Sequence, residues 1–592
     1  MRQSFWCLCV AAVIAVAGCS SSGPSVTPSM SPQSLALAPG QSAQFHATLP
    51  GNGSTFAWSV NGTAGGDSTV GTIDASGKYT APSNPQSLAV TVTASSGSGM
   101  NSSVSAKVYV VAPGTVAQTK NPQVALYTID PPADAAVTIQ FGPSTSYGRS
   151  TWTQQTPTGG GAVATLVAGM PLNSTNHMKA TLKFANGVTF SDSDHTFATG
   201  TIPAASLPTL TATTTAGMTP QSGVELLDLT PVGGAARINV AVADLSGNIL
   251  WTYDPGSSVP AGDFPDPIKL MPNGHFLVNF SGASPDGVNS VVQELDLTGQ
   301  VFWQMTAAQL NQALAAATCA GCNITVVGTH HDFAILPSGH LILIAALQQI
   351  VSGATVTGDA LIDLDQNHKP VWVWSEFDHL DVNRHPMSFP DWTHTNAVVY
   401  SPDDKALIIS MRHQDWVIKI DYNNGQGTGN ILWKLGYQGD FTLENGTDPV
   451  DWQYAQHDVN VVSKNSSSVF QLLMFDNGNQ RVLDSSGAEC GSGTPCYSRV
   501  PLLQLDESAK TATIQWVDNL SPVFSFFGGS ARLLANGNIE FDECAPNPPA
   551  PSPAIFEVTQ TTPPQTVWQM RITSQDVYRG FRIPSLYPGV QW

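Results

Sequence analysis

Apolar and polar residues alternate in short runs along most of the chain, and turn residues separate these runs. The segments Phe56-Ala-Trp-Ser-Val and Leu88-Ala-Val-Thr-Val-Thr-Ala both show this period of two. Such alternation is typical of β-strands that bury one face and expose the other. The pattern therefore predicts an all-β chain that is built from many short strands.

The strands before residue 200 fall into two groups. Residues 20–112 contain a tether and then alternating runs with regular turn signals such as Pro39-Gly40, and residues 113–200 contain a second set. Short strands at this spacing predict two small β-sandwiches. In the first, the run Gly77-Lys-Tyr-Thr-Ala-Pro resembles the immunoglobulin-like repeats of bacterial surface proteins. A segment rich in Thr, Ala and Pro, roughly 200–220, is interpreted as a linker.

From about residue 221 a strand, a turn and a strand ending in tryptophan recur six times. Two of the copies are Val242-Ala-Asp-Leu-Ser-Gly-Asn-Ile-Leu-Trp and Glu294-Leu-Asp-Leu-Thr-Gly-Gln-Val-Phe-Trp, and Pro-x-Gly hairpins precede several apolar strands. Radial repetition of such units leaves few exposed sheet edges, and a β-sandwich array explains the spacing poorly. The repeat predicts a six-bladed β-propeller over residues 221–592.

The first 19 residues have the features of a lipoprotein signal peptide. Arg2 precedes a short apolar run that ends in Val16-Ala-Gly-Cys19, which has the form of a lipobox, and the run is too short to span a bilayer. The alternative is an ordinary signal peptide with a chance cysteine. We expect lipidation at Cys19 and a location in the cell envelope, either periplasmic or at the cell surface, with a lipid anchor in the membrane.

The net charge limits which partners the chain can bind, and the cysteine content indicates which disulfides it can form. The formal net charge of −20 excludes nucleic acid as a partner, because such a chain cannot neutralise phosphates. In an oxidising compartment Cys490 and Cys496 are expected to close a small loop as a disulfide. Cys319 and Cys322 are a second candidate pair, with a redox-active pair or a zinc site as alternatives. The pairing of Cys544 is left open.

Histidines concentrate in the repeat region, where 10 of the 13 lie beyond residue 220. Three of them, His331, His394 and His457, follow one another at intervals of 63 residues, roughly one blade each. Equivalent strand starts of successive blades converge on the central channel of a propeller. The spacing therefore predicts three imidazoles around one axis.

The segments around these histidines resemble the bacterial arylsulfotransferases that need no nucleotide sulfate donor. The resemblance covers residues 221–592 and rests on several motifs together. The motifs are Asp391-Trp-Thr-His-Thr-Asn, Arg412-His-Gln, Gln456-His-Asp, Phe475-Asp-Asn-Gly, Tyr497-Ser-Arg and Tyr578-Arg-Gly-Phe-Arg.

The resemblance implies a ping-pong transfer of a sulfuryl group from a phenolic sulfate to a phenol through a sulfohistidine. His457 is then the nucleophile, and His331, His394 and Arg412 hold the sulfuryl oxygens. No cofactor and no metal are expected. Substrate-binding roles are implied for Asn396, Tyr497, Arg499 and Tyr578.

Less specific interpretations stay open at this point. The histidines at blade starts can be structural, and Arg412 can form an ion pair with Asp415 or Asp458. Three histidines around a channel can also bind zinc, although a neighbouring arginine opposes a cation. The histidines interpreted as structural or peripheral are His330, His340, His413 and the pair His379 and His385. The alternative function is a non-enzymatic, ligand-binding envelope propeller, because a fold does not by itself imply chemistry.

Overall fold

The computed structural model describes residues 26–49, 55–96, 102–231, 238–260, 262–282, 289–462, 468–491, 493–547, 552–573 and 575–592. Within these ranges nearly all regular structure is β-strand, and one α-helix spans Ala307–Ala316. The prediction of an all-β chain is confirmed. The predicted signal peptide and its lipobox at Cys19 lie outside the described residues. In the part that is described, no helix is long and apolar enough to cross a membrane.

The first sandwich encloses its own core, to which Phe45, Trp58 and Tyr79 belong. Alternation matches burial, since Val90 and Val92 are buried while the residues next to them are at least partly exposed. Three sheets form this sandwich. Its strands span Ser29–Ser31, Ser34–Leu37, Ser42–Gln44, His46–Thr48, Phe56–Val60, Thr63–Ala64, Gly66–Asp67, Gly71–Ile73, Lys78–Thr80, Leu88–Ser96 and Ser103–Val110.

The second sandwich shares its core with the region that follows. Tyr127 and Phe141 belong to one buried cluster with Trp251 and Phe276 of the repeat region. The sandwich therefore packs directly on that region. Its strands span Thr115–Gln118, Ala125–Ile129, Ala135–Gly142, Arg149–Ser150, Gln154–Gln155, Val163–Val167, Thr175–Phe184, Thr189–Ser191 and His195–Ala198.

Six antiparallel four-stranded sheets follow in the described part of the repeat region, and we number them ring sheets 1 to 6. Ring sheet 1 contains Val224–Pro231, Val240–Asp244, Ile249–Tyr253 and Gln575–Ile583; ring sheet 2 contains Phe264–Leu270, Phe276–Ser281, Val291–Leu295 and Val301–Thr306; ring sheet 3 contains Val326–Ile335, Leu341–Val351, Ala354–Leu364 and Pro370–Ser375; ring sheet 4 contains Thr395–Ser401, Ala406–Met411, Trp416–Ile420 and Ile431–Leu435; ring sheet 5 contains His457–Val461, Val469–Phe475, Arg499–Asp506 and Thr511–Asn519; ring sheet 6 contains Ala531–Leu533, Ile539–Glu543, Ala554–Val558 and Thr566–Thr573.

Two further strands extend these sheets at an edge. Thr442–Leu443 pairs in parallel with the last strand of ring sheet 5. Thr209–Thr214 pairs with Thr566–Thr573 of ring sheet 6, although it lies in the segment that was expected to be a linker. Short 3₁₀ helices span Ala204–Ser206, Gly256–Ser258, Glu376–Asp378, Arg412–Gln414 and Asn423–Gly425.

The ring sheets close into a circle. The C-terminal strand Gln575–Ile583 pairs with Val224–Pro231, so the two ends of the repeat region share ring sheet 1. A buried side chain of each sheet also forms a hydrogen bond with the backbone of the next sheet or of the residue that precedes its first strand. These bonds join Asp228 to Ile268 N (3.2 Å), Asp266 to His331 N (2.8 Å), Asp332 to Val398 N (3.0 Å), Asn396 to Gln456 O (2.8 Å), Asp458 to Ala531 N (3.1 Å) and Asp542 to Gly580 N (3.2 Å). This closed arrangement confirms the predicted β-propeller.

Both cysteine pairs form disulfides. Cys490 is bonded to Cys496, as predicted, and Cys319 is bonded to Cys322, which favours the disulfide over the zinc alternative for that pair. Cys544 is free and buried.

Candidate active site

In ring sheets 3, 4 and 5 the first strand is the inner strand of the sheet. The inner strands of ring sheets 3, 4 and 5 bring the three predicted histidines together. His331 lies within Val326–Ile335, His394 directly precedes Thr395–Ser401, and His457 begins its strand. The ring centroids of His331 and His394 are 4.5 Å apart. The ring of Tyr578 lies 5.9 Å from that of His331 and 6.3 Å from that of His457. These four side chains form one cluster near the centre of the ring.

The backbone departs from a regular strand at, or directly next to, each of the three histidines. His331, His394 and Asp458 adopt left-handed conformations with φ of 60°, 51° and 51°. The pairing register of the inner strand shifts beside each of them. An irregularity of this kind bends a strand and redirects its side chains, which is why bulges are frequent next to functional sites. The bulges thus set the direction of the histidines.

Asn477 determines which nitrogen of His457 carries the proton. Its Oδ1 lies 2.7 Å from His457 Nδ1, and its Nδ2 donates to the carbonyl oxygens of Ser525 and Gly528 at 2.8 and 3.0 Å. Because carbonyl oxygens only accept, Nδ2 must face them and Oδ1 must accept a bond from His457 Nδ1–H. In the neutral imidazole the lone pair is then on Nε2.

The surroundings of His457 favour its neutral form. Burial lowers the pKa of His457 well below its ordinary value, and the positive charge of Arg412, His394 and Arg579 adds to this effect. The hydrogen bond to Asn477 opposes it. A neutral imidazole with a free Nε2 is a competent nucleophile, so this residue is suited to covalent catalysis.

Asp391 orients His394 from the adjacent loop. Asp391 Oδ2 lies 2.5 Å from His394 Nδ1. Burial alone would raise the pKa of Asp391, but the interactions with His394 and His413 lower it to about 2. The side chain of Asp391 therefore remains a carboxylate and accepts from Nδ1–H of His394, which leaves Nε2 of this histidine for a substrate.

His413 links His394 to Arg412. Its ring stacks on that of His394 at 4.5 Å, and its Nδ1 lies 2.9 Å from the carbonyl oxygen of Asp391. Burial and the neighbouring His394 lower the pKa of His413 to about 3, so the ring is neutral. Its Nε2 then accepts from Arg412 Nη1 at 2.5 Å. His413, which was interpreted as structural or peripheral, belongs to the cluster.

Arg412 is held as a donor rather than as a member of an ion pair. Its Nη2 donates to the carbonyl oxygen of Phe526 at 3.0 Å, and its buried Nε has no hydrogen-bond partner among the described residues. Neither Asp415 nor Asp458 forms a salt bridge with it there; Asp458 instead pairs with Arg532 at 2.7 Å. A guanidinium with a free donor beside three imidazoles is suited to an oxyanion.

His331 has a second histidine behind it. The Nδ1 atoms of His331 and His330 are 2.6 Å apart, and His330 Nε2 lies 2.9 Å from Asp359 Oδ1. Burial lowers the pKa of His331 well below its ordinary value, and the neighbouring histidines act in the same direction. His330, also interpreted as structural or peripheral, therefore contacts a predicted site residue directly.

Tyr578 has a hydroxyl without a partner among the described residues, although the residue is only 3% exposed. Burial, with Asp266 nearby, raises the pKa of Tyr578 well above its ordinary value, so the hydroxyl keeps its proton. A buried donor without an acceptor is costly unless a ligand supplies one. Tyr578 is thus the predicted substrate-binding residue whose surroundings best match that role.

The other three residues with predicted substrate-binding roles have structural contacts. Asn396 is fully buried and donates to the backbone of Gln456, next to His457. Arg499 pairs with Asp476 at 2.7 Å, and Tyr497 lies under the Arg481 guanidinium. Arg481 also pairs with Asp476, at 2.9 Å, so Arg499 and Tyr497 both contact this buried group of ion pairs rather than the histidines.

Within the part of the chain that the structure describes, one group of side chains has a spacing that suits a metal. Asp391, His394 and His413 each place a potential ligand atom within 4.8 Å of the others. The guanidinium of Arg412 donates to His413, however, and its positive charge opposes a cation at this position. The donor set therefore fits an anion better than a metal ion.

The comparison with family models matches more than half of the chain. A family model for arylsulfotransferases matches residues 176–579, and no curated protein matches the chain. A solved structure of dihydro-heme d1 dehydrogenase NirN in complex with DHE is 12% identical, covers 64% of this chain and 78% of its own, and has a TM-score of 0.29. Salmonella alpha-2-macroglobulin reacted with methylamine is 11% identical, with 93% and 44% covered and a TM-score of 0.11.

Proposed function

The chain belongs to the arylsulfotransferase family, and from this premise we propose that it moves a sulfuryl group between phenols through a sulfohistidine at His457. The donor is a phenolic sulfate ester, the acceptor is a phenol, and no nucleotide takes part. The observation that carries the proposal is the hydrogen bond from His457 Nδ1 to Asn477 Oδ1 at 2.7 Å. It leaves a lone pair on Nε2 of a buried, neutral imidazole.

In the first half-reaction His457 Nε2 attacks the sulfur of the donor. The S–N bond forms while the bond from sulfur to the phenolic oxygen breaks, and a histidine of the cluster acts as the acid that gives this oxygen its proton. Positive charge develops on the imidazole, and the bond from Nδ1–H to Asn477 strengthens as it does. In the second half-reaction the oxygen of the acceptor phenol attacks sulfur, the S–N bond breaks, and the same histidine acts as the base that takes the proton of the phenol.

Hydrogen-bond donors around His457 stabilise the sulfuryl oxygens. Transfer of such a group resembles phosphoryl transfer, in which charge spreads over the peripheral oxygens and catalysis is mainly positioning and electrostatics. Arg412 has a free buried Nε, and Tyr578 has a buried hydroxyl without a partner among the described residues. His394 is held by Asp391 through Nδ1, so its Nε2 is directed away from that bond. These groups support binding of the transferred group next to the nucleophile.

We place the enzyme in the cell envelope, held by acyl chains on Cys19. The support is the lipobox-like run Val16-Ala-Gly-Cys19 after a short apolar segment. Fractionation of a Cys19→Ser variant tests this location. The parent should stay with membranes through a high-salt wash, because its acyl chains are buried in the bilayer. Electrostatic attraction cannot explain such retention, since a chain of net charge −20 is repelled by anionic lipid. A Cys19→Ser protein that still follows the membranes contradicts the anchor.

The activity is tested with purified protein, p-nitrophenyl sulfate and phenol in the absence of any nucleotide. Release of p-nitrophenol should depend on the acceptor and be matched by formation of phenyl sulfate. With donor alone, the mass of one sulfuryl group should appear on the peptide that contains His457. His457→Ala should lose transfer by several orders of magnitude while remaining folded, as judged by circular dichroism. Full transfer by this variant, or a label on another peptide, rejects the nucleophile.

A further inference from the structure

The contact between His330 and His331 requires a shared proton. Their Nδ1 atoms are 2.6 Å apart, a distance at which two lone pairs would repel each other. One ring must therefore donate Nδ1–H and the other must accept it. On its far side His330 Nε2 lies 2.9 Å from the carboxylate of Asp359, which can only accept while it is ionised. His330 consequently keeps a proton on Nε2.

Two proton arrangements satisfy this chain of contacts. When His330 is an imidazolium, it donates Nδ1–H to His331, and neutral His331 carries its proton on Nε2. When His330 is neutral, its Nδ1 accepts from His331, and the lone pair of His331 is on Nε2. Loss of the Nε2 proton of His331, together with the shift of a proton from His330 Nδ1 to His331 Nδ1, thus converts His331 Nε2 from a donor into an acceptor.

We propose that Asp359, His330 and His331 form a proton relay that makes His331 the acid for the leaving phenol and the base for the acceptor phenol. The inference rests on the proposed sulfuryl transfer and adds the route of the proton to it. His331 is the residue that touches the substrate oxygen. His330 and Asp359 are positioning residues that act through it.

The step balances in both directions. As the bond from sulfur to the phenolic oxygen breaks, His331 Nε2–H gives its proton to that oxygen, and His331 Nδ1 takes the proton of His330 Nδ1. His330 is left neutral, with Nε2–H on Asp359. In the second half-reaction the acceptor phenol gives its proton to His331 Nε2, His331 Nδ1–H returns a proton to His330, and the imidazolium is restored.

The charged groups around His330 suit a site that can hold the proton. Burial opposes the charged form, but the Asp359 carboxylate and its hydrogen bond, with Asp266 and Asp391 further away, raise the pKa of His330 above its ordinary value. His331 faces His394, His457 and Arg579 and has a lowered pKa. The proton of the pair therefore resides on His330 and reaches His331 when the substrate oxygen demands it.

Asp359 is itself fixed by the strands that it joins. Its Oδ2 accepts from the backbone N–H of Thr395 at 2.6 Å and from the hydroxyl of Thr393 at 3.1 Å. Next to it, burial raises the pKa of Glu376 to about 8, with the charge of Asp359 as a further cause. Glu376 is thus mostly protonated at neutral pH, and Asp359 presents its other oxygen, Oδ1, to His330.

The test is the dependence of single-turnover sulfation on the leaving phenol in a His330→Gln variant. Glutamine can form hydrogen bonds but cannot relay a proton. With p-nitrophenyl sulfate, whose phenolate leaves readily, the rate should fall less than about threefold, whereas with p-methoxyphenyl sulfate it should fall about 10²-fold. The plot of log rate against leaving-group pKa should therefore become steeper. The same loss for every donor would show a merely structural role and overturn the relay.

Matched variants keep the result interpretable. His340 faces Asp363 at 2.9 Å in the same ring sheet, so His340→Gln removes a similar pair outside the cluster and should keep the parent slope. His330→Asn is used if the glutamine variant does not fold. A steeper slope in His394→Gln, with the parent slope in His330→Gln, would assign the acid to His394 and overturn the relay. If the parent releases no phenol from any aryl sulfate, the proposed function itself fails.

Discussion

Asn477 lies two residues beyond Phe475, and Phe475 is the strand partner of His457 in ring sheet 5. Side chains two residues apart in an extended chain point the same way, so the amide returns to the imidazole across the ladder. The amide donates to two carbonyl oxygens and accepts from His457, which leaves it a single orientation. At this scale an uncharged hydrogen bond selects the nucleophilic nitrogen without adding a negative charge that would favour the imidazolium.

An Asn477→Asp variant should move the pH dependence of transfer. The carboxylate adds a negative charge next to Nδ1 and raises the pKa of His457, so the imidazole is protonated and without a lone pair at low pH. The acidic limb of kcat/KM should move upward by at least about one pH unit, which is tenfold in rate on the limb. The parent has its His457 pKa well below the ordinary value and should show no such limb near neutrality.

The matched control is Asn176→Asp, which places the same change at a buried asparagine of the second sandwich. It should keep the parent pH profile. A folded Asn477→Asp protein with an unchanged profile would contradict the assignment of the proton to Nδ1. Loss of the bonds to Ser525 and Gly528 should also cost about 1–3 kcal/mol of unfolding free energy, because two buried carbonyl oxygens lose their donor.

The histidines could be predicted from the sequence, but their partners could not. His331, His394 and His457 recur once per blade, and a repeat reports the position of a residue relative to the channel. Asp359 reaches His330 from another strand of its sheet, at a separation of 29 residues that matches no repeat. The position of each proton depends on such contacts. Because the contacts arise only from three-dimensional packing, the sequence pattern does not predict them.

At the scale of the strand, the site depends on local departures from regular β-structure. The inner strands of ring sheets 3 and 4 place a histidine in the left-handed region at their irregular positions. A side chain other than glycine is disfavoured there by about 1–2 kcal/mol. Hydrogen bonds between the neighbouring strands maintain this conformation. As a result, the imidazoles point at one another.

Alanine and glycine at position 331 should reveal this strain. Both remove the imidazole, but glycine adopts a φ of 60° without a clash, so His331→Gly should be more stable than His331→Ala by about 1 kcal/mol. At His457, which begins a strand without a positive φ, the order should reverse, because glycine is unfavourable in a strand. Denaturant unfolding of the four variants measures both differences. The same order at both positions would contradict the role assigned to the backbone.

The alternation of apolar and polar residues predicted most strands, but it did not predict a strand that is added at the edge of a sheet. Residues of Thr209–Thr214 are exposed or half-buried, so the segment has the composition of a linker, yet it pairs along the edge of ring sheet 6. The helix Ala307–Ala316 was not predicted either. It begins at a capping box formed by Thr306 and Gln309 and buries Leu310 and Leu314. Both elements depend on a surface supplied by distant parts of the chain.

At the scale of the whole molecule, the two sandwiches differ in how they relate to the propeller. The first has a core of its own, and it meets the second through contacts such as the stack of Tyr109 on Phe184 at 4.1 Å. The second shares one core with ring sheets 1 and 2, and the C-terminal Trp592 packs against Phe141. The first sandwich is therefore suited to a spacer role, whereas the second is part of the body that carries the site.

Two phenylalanine substitutions should separate these roles. Phe45 and Phe141 are both fully buried, the first in the core of the first sandwich and the second in the shared core. Replacing either by alanine should cost about 3–5 kcal/mol in the unit that contains it. Calorimetry should show that Phe45→Ala lowers only the transition of the first sandwich, and the temperature at which transfer activity is lost should not change. Phe141→Ala should lower that temperature, because the loosened core supports ring sheets 1 and 2. Equal loss of heat resistance in the two variants would mean that the first sandwich and the propeller unfold as one unit.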